Sequence, residues 1–535
     1  MKTTLKSLIA LSVIMLSTTA VSAATLKANN STDDCADGVG GLQQCLDVAV
    51  DNGEPDTIQL TPGEYSSGPY VYNAAITAED SPLTLENLED SRPLIIGGAD
   101  SGLLLISSGV GDTNTSFTLR GIVFKDGNSG NGGGLNVTTK DADTVVENCD
   151  FVDNQATLGA GLCVEVNDNG KGEISVKHNL FQGNTADSSG GGAFIVAQKG
   201  AVTFEDNTFE GNHANTFYGG AASIETSIGS LSVIKNKFND NHAVRDGGAL
   251  EAEVADAMVR IDGNLFTKNT SGDAGGAVKL TSNSDVANFV LTNNVLAENS
   301  AGNDEDGQGL DSKAKGGAIY SEFAGTDSTL TITHNTVYKN SSQDHGGGIS
   351  IAMTDKSDLA QIYNNIVVGN TAAQSGQDIY VSKVDGDVEQ SGAVQLFHNL
   401  YDDFLSECQN EGGNCVTSGE NLEDQDPMFV DAAQDKLQLS EGSPAIDQGD
   451  PNAPEFTSTD FAGAVRPDQV NSNPDMGAFE FHTTEQPEAS PLPPQGPAVS
   501  AEGGCSLGGS AVLDLGRISW MLIALAGLGL RKLRP

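Results

Sequence analysis

Residues 202–226 read VTFEDNTFEGNHANTFYGGAASIET, and they contain one copy of a unit that recurs along the chain. In each unit an Asn is followed two or three positions later by an apolar residue and then by a second Asn, and a Gly-Gly or Gly-Gly-Gly run usually precedes the next β-type segment. A repeat of fixed length indicates a solenoid. The unit is too short to contain a crossover helix, so we predict an all-β fold in which each copy forms one coil of a right-handed parallel β-helix. The apolar positions, spaced by 28 to 30 residues with one interval of 41, are Phe151, Phe181, Phe209, Phe238, Phe266, Leu296, Val337 and Val367.

Composition and the distribution of proline extend this prediction over most of the chain. The chain has 535 residues, of which 64 are Gly, and glycine suits the tight corners of a coil. No proline occurs between Pro93 and Pro427, as uninterrupted parallel pairing requires, because proline lacks the N–H that the neighbouring strand needs. We therefore assign residues 56–405 to one β-helix body. Stacked Asn side chains about 4.8 Å apart are expected to hydrogen-bond from coil to coil.

An amphipathic segment precedes the body. Leu42, Leu46 and Ala49 have the spacing of one helical face. Because the open end of a solenoid core must be covered, we assign residues 25–55 to an N-terminal cap with a short helix. The stretch Gln43-Gln44-Cys45 partly resembles the Cys-x-x-Arg-Glu-Ala-Ile segment that opens many secreted bacterial β-helix proteins.

Residues 1–24 have the features of a secretory signal peptide, with Lys2 and Lys6 before an apolar run, Leu8 to Leu16, and small residues at the end. The alternative is an N-terminal membrane anchor, but the run is shorter than the ~20 residues that a span needs. Export places the cysteines in an oxidising compartment. Several connectivities are open, and we predict the nearest-neighbour pairs Cys35 with Cys45, Cys149 with Cys163, and Cys408 with Cys415.

Proline returns after residue 405, and the sequence changes in character. Residues 442–449 (GSPAIDQG) and 475–480 (DMGAFE) resemble the choice-of-anchor Q domain. This resemblance covers about residues 437–481 and implies a terminal segment on a right-handed β-helix, followed by a sorting tail. We assign residues 406–482 to this C-terminal cap. A charge network that seals the end of the core is expected from Asp447, Asp460, Arg466 and Glu480.

A Pro-rich linker, residues 483–503, leads to a predicted sorting signal, residues 504–535. Gly503, Gly504 and Cys505 stand before an apolar run, Ile518 to Leu530, with a basic end. This arrangement resembles the GlyGly-CTERM and related Cys-containing sorting signals of Gram-negative surface proteins. It implies cleavage by a sorting protease of the cell envelope and display at the outer surface, with release as a variant. The alternative, a permanent membrane anchor, is disfavoured because the run makes only ~20 Å of helix.

The chain is strongly acidic, with 73 Asp and Glu against 27 Lys and Arg and a formal net charge of −46. Such a surface repels nucleic acid and anionic membranes and attracts divalent cations. We therefore expect no nucleic-acid partner, and contact with a membrane only through the C-terminal tail or the anchor that replaces it. Solubility in a salty habitat is the alternative explanation of the charge.

The segments that follow the Gly runs provide the candidate site, because their outward residues lie on one face of the stack. Glu225, Glu251 and Glu253 are expected there as close neighbours. Three interpretations remain open for them: an acidic stripe, a Ca²⁺ site, or the acid and nucleophile of a glycosidase. On the preceding coil we expect Ile195 and Ala197 to face outward. Asp304 and Asp306, in an inserted loop, are a second candidate cation site without EF-hand spacing.

Five of the seven histidines occupy repeat positions beside an Asn, and only His345 and His482 do not. A catalytic histidine is therefore not expected. The Gly-His-Gly and Arg-Ile-Lys motifs of the β-helix pectin hydrolases are absent, and Lys279 is the one basic residue among the outward glutamates. We predict a surface-anchored, adhesin-like protein that binds a polysaccharide or matrix ligand and needs no cofactor. The alternative is a Ca²⁺-dependent polysaccharide lyase or glycosidase on the same pectate-lyase-like solenoid.

Overall fold

The computed structural model describes residues 24–482, apart from residues 30, 32, 36–37, 51–52, 67, 75–80, 98–103, 108–114, 168–169, 283–285, 303–313, 324, 384–391, 408, 411–412, 435 and 469–472. The expected signal peptide up to residue 23, the linker and the sorting signal with Gly503, Gly504 and Cys505 lie outside the described residues. Asp304, Asp306 and Cys408 also lie outside them. No helix within the described ranges is long and apolar enough to cross a membrane.

From Phe117 to Lys383 each coil consists of four short strands that pair with the equivalent strands of the coils before and after it. In the described residues of the other coils, no strand joins the third sheet. In the coil quoted above, these strands are Ala201–Glu205, Thr208–Glu210, His213–Ala214 and Ala222–Thr226. All pairs between coils are parallel and repeat in the same order, so four sheets extend along the stack. We number these sheets 1 to 4 in the order in which a coil visits them. This arrangement confirms the predicted all-β, parallel β-helix.

Sheet 1 is formed, in sheet order, by Val39–Gly41, Ala24–Asn29, Asp56–Leu60, Leu83–Asn87, Phe117–Arg120, Thr144–Glu147, Ile174–Lys177, Ala201–Glu205, Ser230–Ile234, Met258–Asp262, Asn288–Thr292, Thr329–Thr333, Leu359–Tyr363, Ala393–Phe397 and Val416–Gly419. Sheet 2 is formed by Glu64–Tyr65, Leu94–Ile96, Val123–Lys125, Asp150–Val152, Leu180–Gln182, Thr208–Glu210, Lys237–Asn239, Leu265–Thr267, Val295–Ala297, Thr336–Tyr338, Ile366–Val368, Leu400–Tyr401 and Leu422–Glu423.

Sheet 3 is formed by Asn128–Asn131, Gln155–Leu158, Thr185–Ser189, His213–Ala214, His242–Ala243, Thr270–Ser271, Ser300–Ala301, Ser341–Ser342 and Thr371–Ala372. Sheet 4 is formed by Tyr70–Asn73, Leu104–Ser107, Leu135–Thr139, Leu162–Val166, Ala193–Ala197, Ala222–Thr226, Leu250–Val254, Val278–Ser282, Ile319–Phe323, Ile349–Met353, Ile379–Lys383 and Phe404–Ser406. Two antiparallel pairs, Gln409–Asn410 with Gly413–Asn414 and Phe429–Asp431 with Lys436–Leu439, and a 3-10 turn, Ala432–Gln434, lie C-terminal to most of the stack.

The repeated apolar residue of each unit forms a column in the core, on the inner side of sheet 2. Consecutive rings in this column are parallel within 9°, and their centroids are 4.5 to 5.1 Å apart. The stacked rings belong to Phe124, Phe151, Phe181, Phe209, Phe238 and Phe266. Each is fully buried or nearly so, so hydrophobic burial and ring stacking act together from coil to coil.

The two Asn residues of each unit form two ladders, as the sequence predicts. In Asn212, for example, Oδ1 accepts hydrogen bonds from the backbone N–H and the Nδ2 of Asn184, at 3.1 and 2.9 Å. The Nδ2 of Asn212 in turn donates to Asn241 Oδ1 and to Phe181 O. The ladder at the corner of sheets 2 and 3 contains Asn154, Asn184, Asn212, Asn241, Asn269, Asn299, Asn340 and Asn370. The ladder at the corner of sheets 1 and 2 contains Asn179, Asn207, Asn236, Asn264, Asn294, Asn335, Asn365, Asn399 and Asn421.

The N-terminal end has the predicted helix, Leu42–Ala49, and its apolar face is buried through Leu42, Cys45, Leu46 and Ala49. Cys45 forms the predicted disulfide with Cys35. Cys415 is also disulfide-bonded, but its predicted partner Cys408 is outside the described residues. Disulfides are typical of the periplasm and the cell exterior.

The predicted disulfide between Cys149 and Cys163 is wrong, because both are buried free cysteines. Cys149 occupies the ladder position before Asn179, and its backbone N–H donates to Asn179 Oδ1 at 2.8 Å. Cys163 lies in sheet 4, a different part of the same coil. Burial raises the pKa of the Cys149 thiol to about 12, so it acts as a small apolar residue rather than as a nucleophile.

The C-terminal segment packs along the side of the stack. Leu439, Ala445 and Met476 cover Ile366 and Leu400 of sheet 2, and Leu437, Ala478 and Phe479 cover Val295 and Ala297. We expected the charge network of this segment to seal the end of the core. Its contacts are instead lateral, because sheet 2 has an apolar outer face over these coils that the segment shields from water.

Arg466 is the centre of that network. Its Nε donates to Glu480 Oε2 at 3.1 Å, and its Nη1 donates to Asn293 Oδ1 at 2.7 Å. The backbone N–H of Glu480 donates to Asp460 Oδ2, whereas Asp447 joins the network through Asp475. Because Arg466 is buried and each of its side-chain nitrogens has a hydrogen-bond partner, the network serves to fix the C-terminal segment to the stack of coils.

Candidate functional site

The outward residues of sheet 4 form two columns that run along the stack, which we call the outer face. Strand register places them in successive coils. The first column contains Cys163, Phe194, Ser223, Glu251, Lys279, Tyr320, Ser350 and Tyr380. The second contains Glu165, Val196, Glu225, Glu253, Thr281, Glu322, Ala352 and Ser382.

The structure corrects one coil of the predicted face. Ile195 and Ala197 point into the core, and Phe194 and Val196 take the outward positions. The third glycine of the run Gly190–Gly192 is equivalent to Ala221 of the next coil, so counting from the end of the Gly run shifts the register by one residue. A shift of one residue moves every side chain of a strand to the opposite face.

Glu251 is the most buried carboxylate of the outer face, with 4% exposure. Its Oε2 accepts a hydrogen bond from Ser223 Oγ at 3.0 Å. Burial raises the pKa of Glu251 to about 8, and the nearby Lys279 opposes this shift only in part. At neutral pH the Glu251 carboxyl therefore carries a proton and acts as a hydrogen-bond donor as well as an acceptor.

Glu225 and Glu253 lie directly beside each other on adjacent strands. Part of the Glu225 side chain reaches solvent, but desolvation by the surrounding protein raises its pKa to about 7, and the charges of Glu253 and Glu165 add to the shift. Burial also raises the pKa of Glu165. Protonation of Glu251, and in part of Glu225, therefore makes the outer face less negative at neutral pH than its sequence suggests.

We expect Glu251 to make the stability of the protein depend on pH. Because its pKa rises from an ordinary value of 4.5 to about 8 on folding, the folded protein holds a proton that the unfolded chain releases in this range. The free energy of unfolding should therefore fall as pH rises from about 4.5 to 8, by at most ~1.4 kcal/mol per pH unit for this group.

The measurement is chemical unfolding at several pH values. Glu251→Gln should flatten the slope and be more stable than wild type at pH 8. Glu173→Gln, at an exposed position outside the outer face, is the control and should keep the wild-type slope. An unchanged slope in Glu251→Gln would show that Glu251 is ionised in the folded protein.

Lys279, on sheet 4, forms an ion pair with Asp246, which lies in the corner between sheets 3 and 4. Its Nζ donates to Asp246 Oδ2 at 2.8 Å and lies 5.7 Å from the centroid of the Tyr218 ring. Asp246 is fixed in turn by the backbone N–H of Ala274, which donates to Oδ1 at 2.8 Å. The carboxylates of Asp246, Glu251 and Glu322 raise the pKa of Lys279 despite its burial, so the ammonium stays charged.

Tyr320 follows Lys279 in the first column, and its hydroxyl donates to Glu322 Oε2 at 3.4 Å. Burial, and then the charges of Glu322 and Asp246, raise the pKa of Tyr320. The phenol therefore stays protonated and orients the Glu322 carboxylate.

A third group lies further along the same face. The His345 ring stacks on Tyr380 with centroids 4.3 Å apart and planes 12° from parallel. Lys315 Nζ lies 5.9 Å from the Tyr380 ring centroid. We did not expect a functional histidine, yet the fold brings His345 to the outer face.

Sequence reasoning placed the glutamates and Lys279 on one face but missed Tyr218, Asp246 and His345. These three occupy one position of the repeat, immediately before the glycine with positive φ, at Gly219, Gly247 and Gly346. That glycine is a usable signal, because only a residue without Cβ readily adopts this conformation at the corner. Residues that precede equivalent glycines in successive coils are expected to lie above one another, which predicts that these three residues share one column.

No group of three or more His, Cys, Asp or Glu side chains is arranged to hold a metal ion in the described part of the chain. The assignment of Ca²⁺ to Glu225, Glu251 and Glu253 stays a prediction, and the raised pKa values of Glu225 and Glu251 oppose it at neutral pH.

No protein-family model and no curated protein sequence matches this chain. Among solved structures it is similar to pectate lyase Pel9A, with 14% identity, 86% of this chain and 97% of that chain covered, and a TM-score of 0.35. It is also similar to a mutant of the periplasmic alginate epimerase AlgG, with 12% identity, 72% and 89% covered, and a TM-score of 0.29. A third similarity is to the PL6 family alginate lyase AlyGC, with 9% identity, 75% of each chain covered, and a TM-score of 0.19. Similarity at these values concerns the fold, and the chemistry rests on the residues of this chain.

Proposed function

We propose that this chain is an exported protein that binds a polysaccharide along the outer face of sheet 4. The observation that carries the proposal is the continuous series of aromatic and polar groups on that face: Tyr218 with Lys279 and Asp246, then Tyr320 with Glu322, then His345 with Tyr380. The partly exposed rings of Tyr218, Tyr320 and His345 offer flat contact area, whereas Tyr380 is buried against His345 and supports it. The polar groups between the rings offer directed hydrogen bonds. A sugar chain, with apolar ring faces and hydroxyl edges, complements such a series.

The charge state of the face favours a neutral, hydroxyl-rich glycan. The pKa of Glu251 is raised to about 8 and that of Glu225 to about 7, so near neutral pH Glu251 is mostly protonated and Glu225 partly so, and a protonated carboxyl donates a hydrogen bond. The charge of Lys279 is already balanced by Asp246 at 2.8 Å. A polyanionic chain would be repelled by a protein of net charge −46, although Lys315, with Nζ 5.9 Å from the Tyr380 ring centroid, adds a positive charge to the face.

Export and surface display complete the proposal. The disulfide of the N-terminal cap, Cys35–Cys45, supports an oxidising compartment outside the cytoplasm. The signal peptide, the choice-of-anchor Q resemblance and cleavage near Cys505 by a sorting protease are the route that we propose to the outer surface.

A polysaccharide lyase or glycosidase is the second candidate. It is favoured by the neighbouring Glu225 and Glu253, since the pKa of Glu225 is raised by burial and by the charge of Glu253. Two neighbouring carboxyl groups, one of them with a raised pKa, are the arrangement that glycosidases use as acid and base or nucleophile. Release of reducing ends from a bound glycan, abolished in Glu225→Gln and Glu253→Gln, would establish this function.

Binding to a glycan array, followed by affinity measurement on the tightest neutral ligand, tests the first proposal. We expect Lys279→Met and Tyr218→Ala each to weaken binding by about tenfold or more, the loss of about 1.4 kcal/mol. The matched controls lie on sheet 1: Lys177→Met, whose lysine pairs with Glu205 at 2.8 Å, and Tyr363→Ala. Equal losses in the controls, or binding of polyanions alone, would contradict the proposed site.

A further inference from the structure

Asp344, His345 and Ser375 lie together at one end of the outer face, at the corner between sheets 3 and 4. The Oγ of Ser375 and the Nδ1 of His345 are 3.0 Å apart. On the other side of the ring, His345 Nε2 lies 3.4 Å from Asp344 Oδ1. A hydroxyl, an imidazole and a carboxylate in this order are the parts of a nucleophile, its base and the group that orients the base.

The repeat itself brings these residues together. His345 and Ser375 each precede a glycine with positive φ, Gly346 and Gly376, so they occupy the same position in successive coils. The backbone N–H of Gly346 donates to Ser375 O at 3.3 Å and fixes one corner against the next. Asp344 is held on both sides, since its N–H donates to Ala314 O and its carbonyl accepts from Gln374 N.

The imidazole is fixed and partly shielded from water. Tyr380 stacks on its face at 4.3 Å, and the side chains of His345 and Asp344 are 22% and 15% exposed. The imidazole is held with one nitrogen beside a hydroxyl and the other beside a carboxylate. It is therefore already oriented for proton transfer before a substrate binds.

The series of equivalent corners ends at this point of the stack. The last strand of sheet 3 is Thr371–Ala372, and the following coil passes from Leu400–Tyr401 to Phe404–Ser406 without building the corner again. Where Gly316 and Gly346 donate to the next corner, the N–H of Gly376 donates no hydrogen bond within the described ranges. Ser375 is thus followed by a buried backbone N–H without an acceptor among the described residues, and a backbone N–H beside the nucleophile is the kind of group that stabilises an oxyanion.

We propose that Asp344, His345 and Ser375 form a hydrolytic site for acyl esters. Ser375 Oγ attacks the ester carbonyl while His345 accepts the hydroxyl proton, and the C–O bond to the alcohol breaks as His345 returns that proton to the leaving oxygen. Water then adds to the acyl-Ser375 ester with His345 as the base, and the carboxylic acid and free Ser375 are released. No oxidant or metal takes part, and water is the only co-reactant.

The substrate class follows from the position of the triad on the outer face. An O-acylated sugar bound along that face would present its ester to this corner. The choice of a glycan ester rests on the proposed function, whereas the triad itself does not, and a small activated ester tests it without a glycan.

The test uses the full chain with p-nitrophenyl acetate and with a fluorophosphonate probe. We expect one covalent adduct by intact mass, mapped to Ser375 by peptide analysis, together with ester hydrolysis. Ser375→Ala should abolish the adduct, and Ser375→Ala and His345→Gln should each lower hydrolysis by about a hundredfold or more. Ser341→Ala is the control, because Ser341 bonds to Ser300 and not to a histidine.

The adduct on wild-type protein needs no variant, so a folding defect in Ser375→Ala cannot obscure the outcome. Wild-type protein that acquires no adduct at Ser375, or that hydrolyses the ester no faster than Ser375→Ala, would overturn the proposal. Activity on the small ester in a protein that binds no glycan would retain the triad and reject the proposed function, and the reverse result would reject the triad alone.

Discussion

Phe209→Ala is expected to lower the free energy of unfolding by about 3–5 kcal/mol. Phe209 is fully buried, and its ring stacks between Phe181, at 4.5 Å, and Phe238, at 5.0 Å. Neighbouring rings cannot collapse into the space, because each is fixed in its own coil by strand pairing. The variant therefore loses transfer free energy and also retains a cavity, as measured by urea unfolding.

The matched control is Phe217→Ala. Phe217 belongs to the same coil but is 38% exposed, with Arg245 5.5 Å from its ring centroid. We expect this variant to lose less than about 1 kcal/mol. Similar losses in the two variants would mean that the Phe column does not form the core in solution.

Asn212→Ala is expected to destabilise the stack by several kcal/mol although it removes little apolar surface. The substitution leaves the N–H and Nδ2 of Asn184 without their acceptor and Phe181 O without a donor. Each unsatisfied buried group costs about 1–3 kcal/mol. Urea unfolding measures the loss. The control is Asn215→Ala, because Asn215 directly follows the strand His213–Ala214 and is exposed, so its replacement should change the free energy of unfolding little.

The end of this ladder supplies an independent check on the explanation. Its last rung is Asp378, whose Oδ1 accepts from Asn370 Nδ2 at 2.8 Å and whose Oδ2 accepts from Asp402 N at 2.7 Å. Both carboxylate oxygens of Asp378 accept hydrogen bonds from N–H groups. In Asp378→Asn, the Nδ2 group that replaces one oxygen would face such an N–H donor, so the variant should be less stable than wild type. If Asn212→Ala is as stable as wild type, or Asp378→Asn is more stable, the ladder is not a principal source of stability.

The sequence was sufficient to predict the ladders and the Phe column because their period is long and, between Phe151 and Val367, varies by no more than two residues apart from one interval. A fixed interval of 28 to 30 residues can be met by one register only, and a residue of the same type at that interval must lie above its predecessor. The inserted loop that lengthens one interval to 41 residues did not disturb the prediction, since Asn294 still bonds Asn335 across it.

The sequence failed where a residue departs from the repeat. Cys149 looked like a disulfide partner of Cys163 by proximity along the chain, but it takes an Asn position in the ladder. The lateral position of the C-terminal segment depends on the apolar outer face of sheet 2, at Val295, Ala297 and Ile366. These residues could not be separated from core residues by pattern alone, because both faces of the strand are buried.

The residues of the candidate site that lie on regular strands could be predicted from the sequence, whereas those at the corners could not. Glu225, Glu251 and Lys279 are at regular strand positions, so alternation places them on the outer face. Asp246 and His345 lie in corners between strands, where the sequence varies from coil to coil. The contact of Asp246 with Lys279 and that of His345 with Ser375 depend on how successive corners stack. Burial then sets the protonation of Glu251, a property of the folded environment rather than of its position in the chain.

A crystal structure of the protein with the oligosaccharide that binds most tightly in the array tests the central proposal most directly. The proposal predicts sugar rings along the outer face of sheet 4 between Tyr218 and Tyr380, with hydroxyl groups within hydrogen-bond distance of Lys279 and of Glu225, the exposed carboxyl of this face. A ligand seated on sheet 1 or on the C-terminal segment, with the outer face of sheet 4 unoccupied, would contradict it.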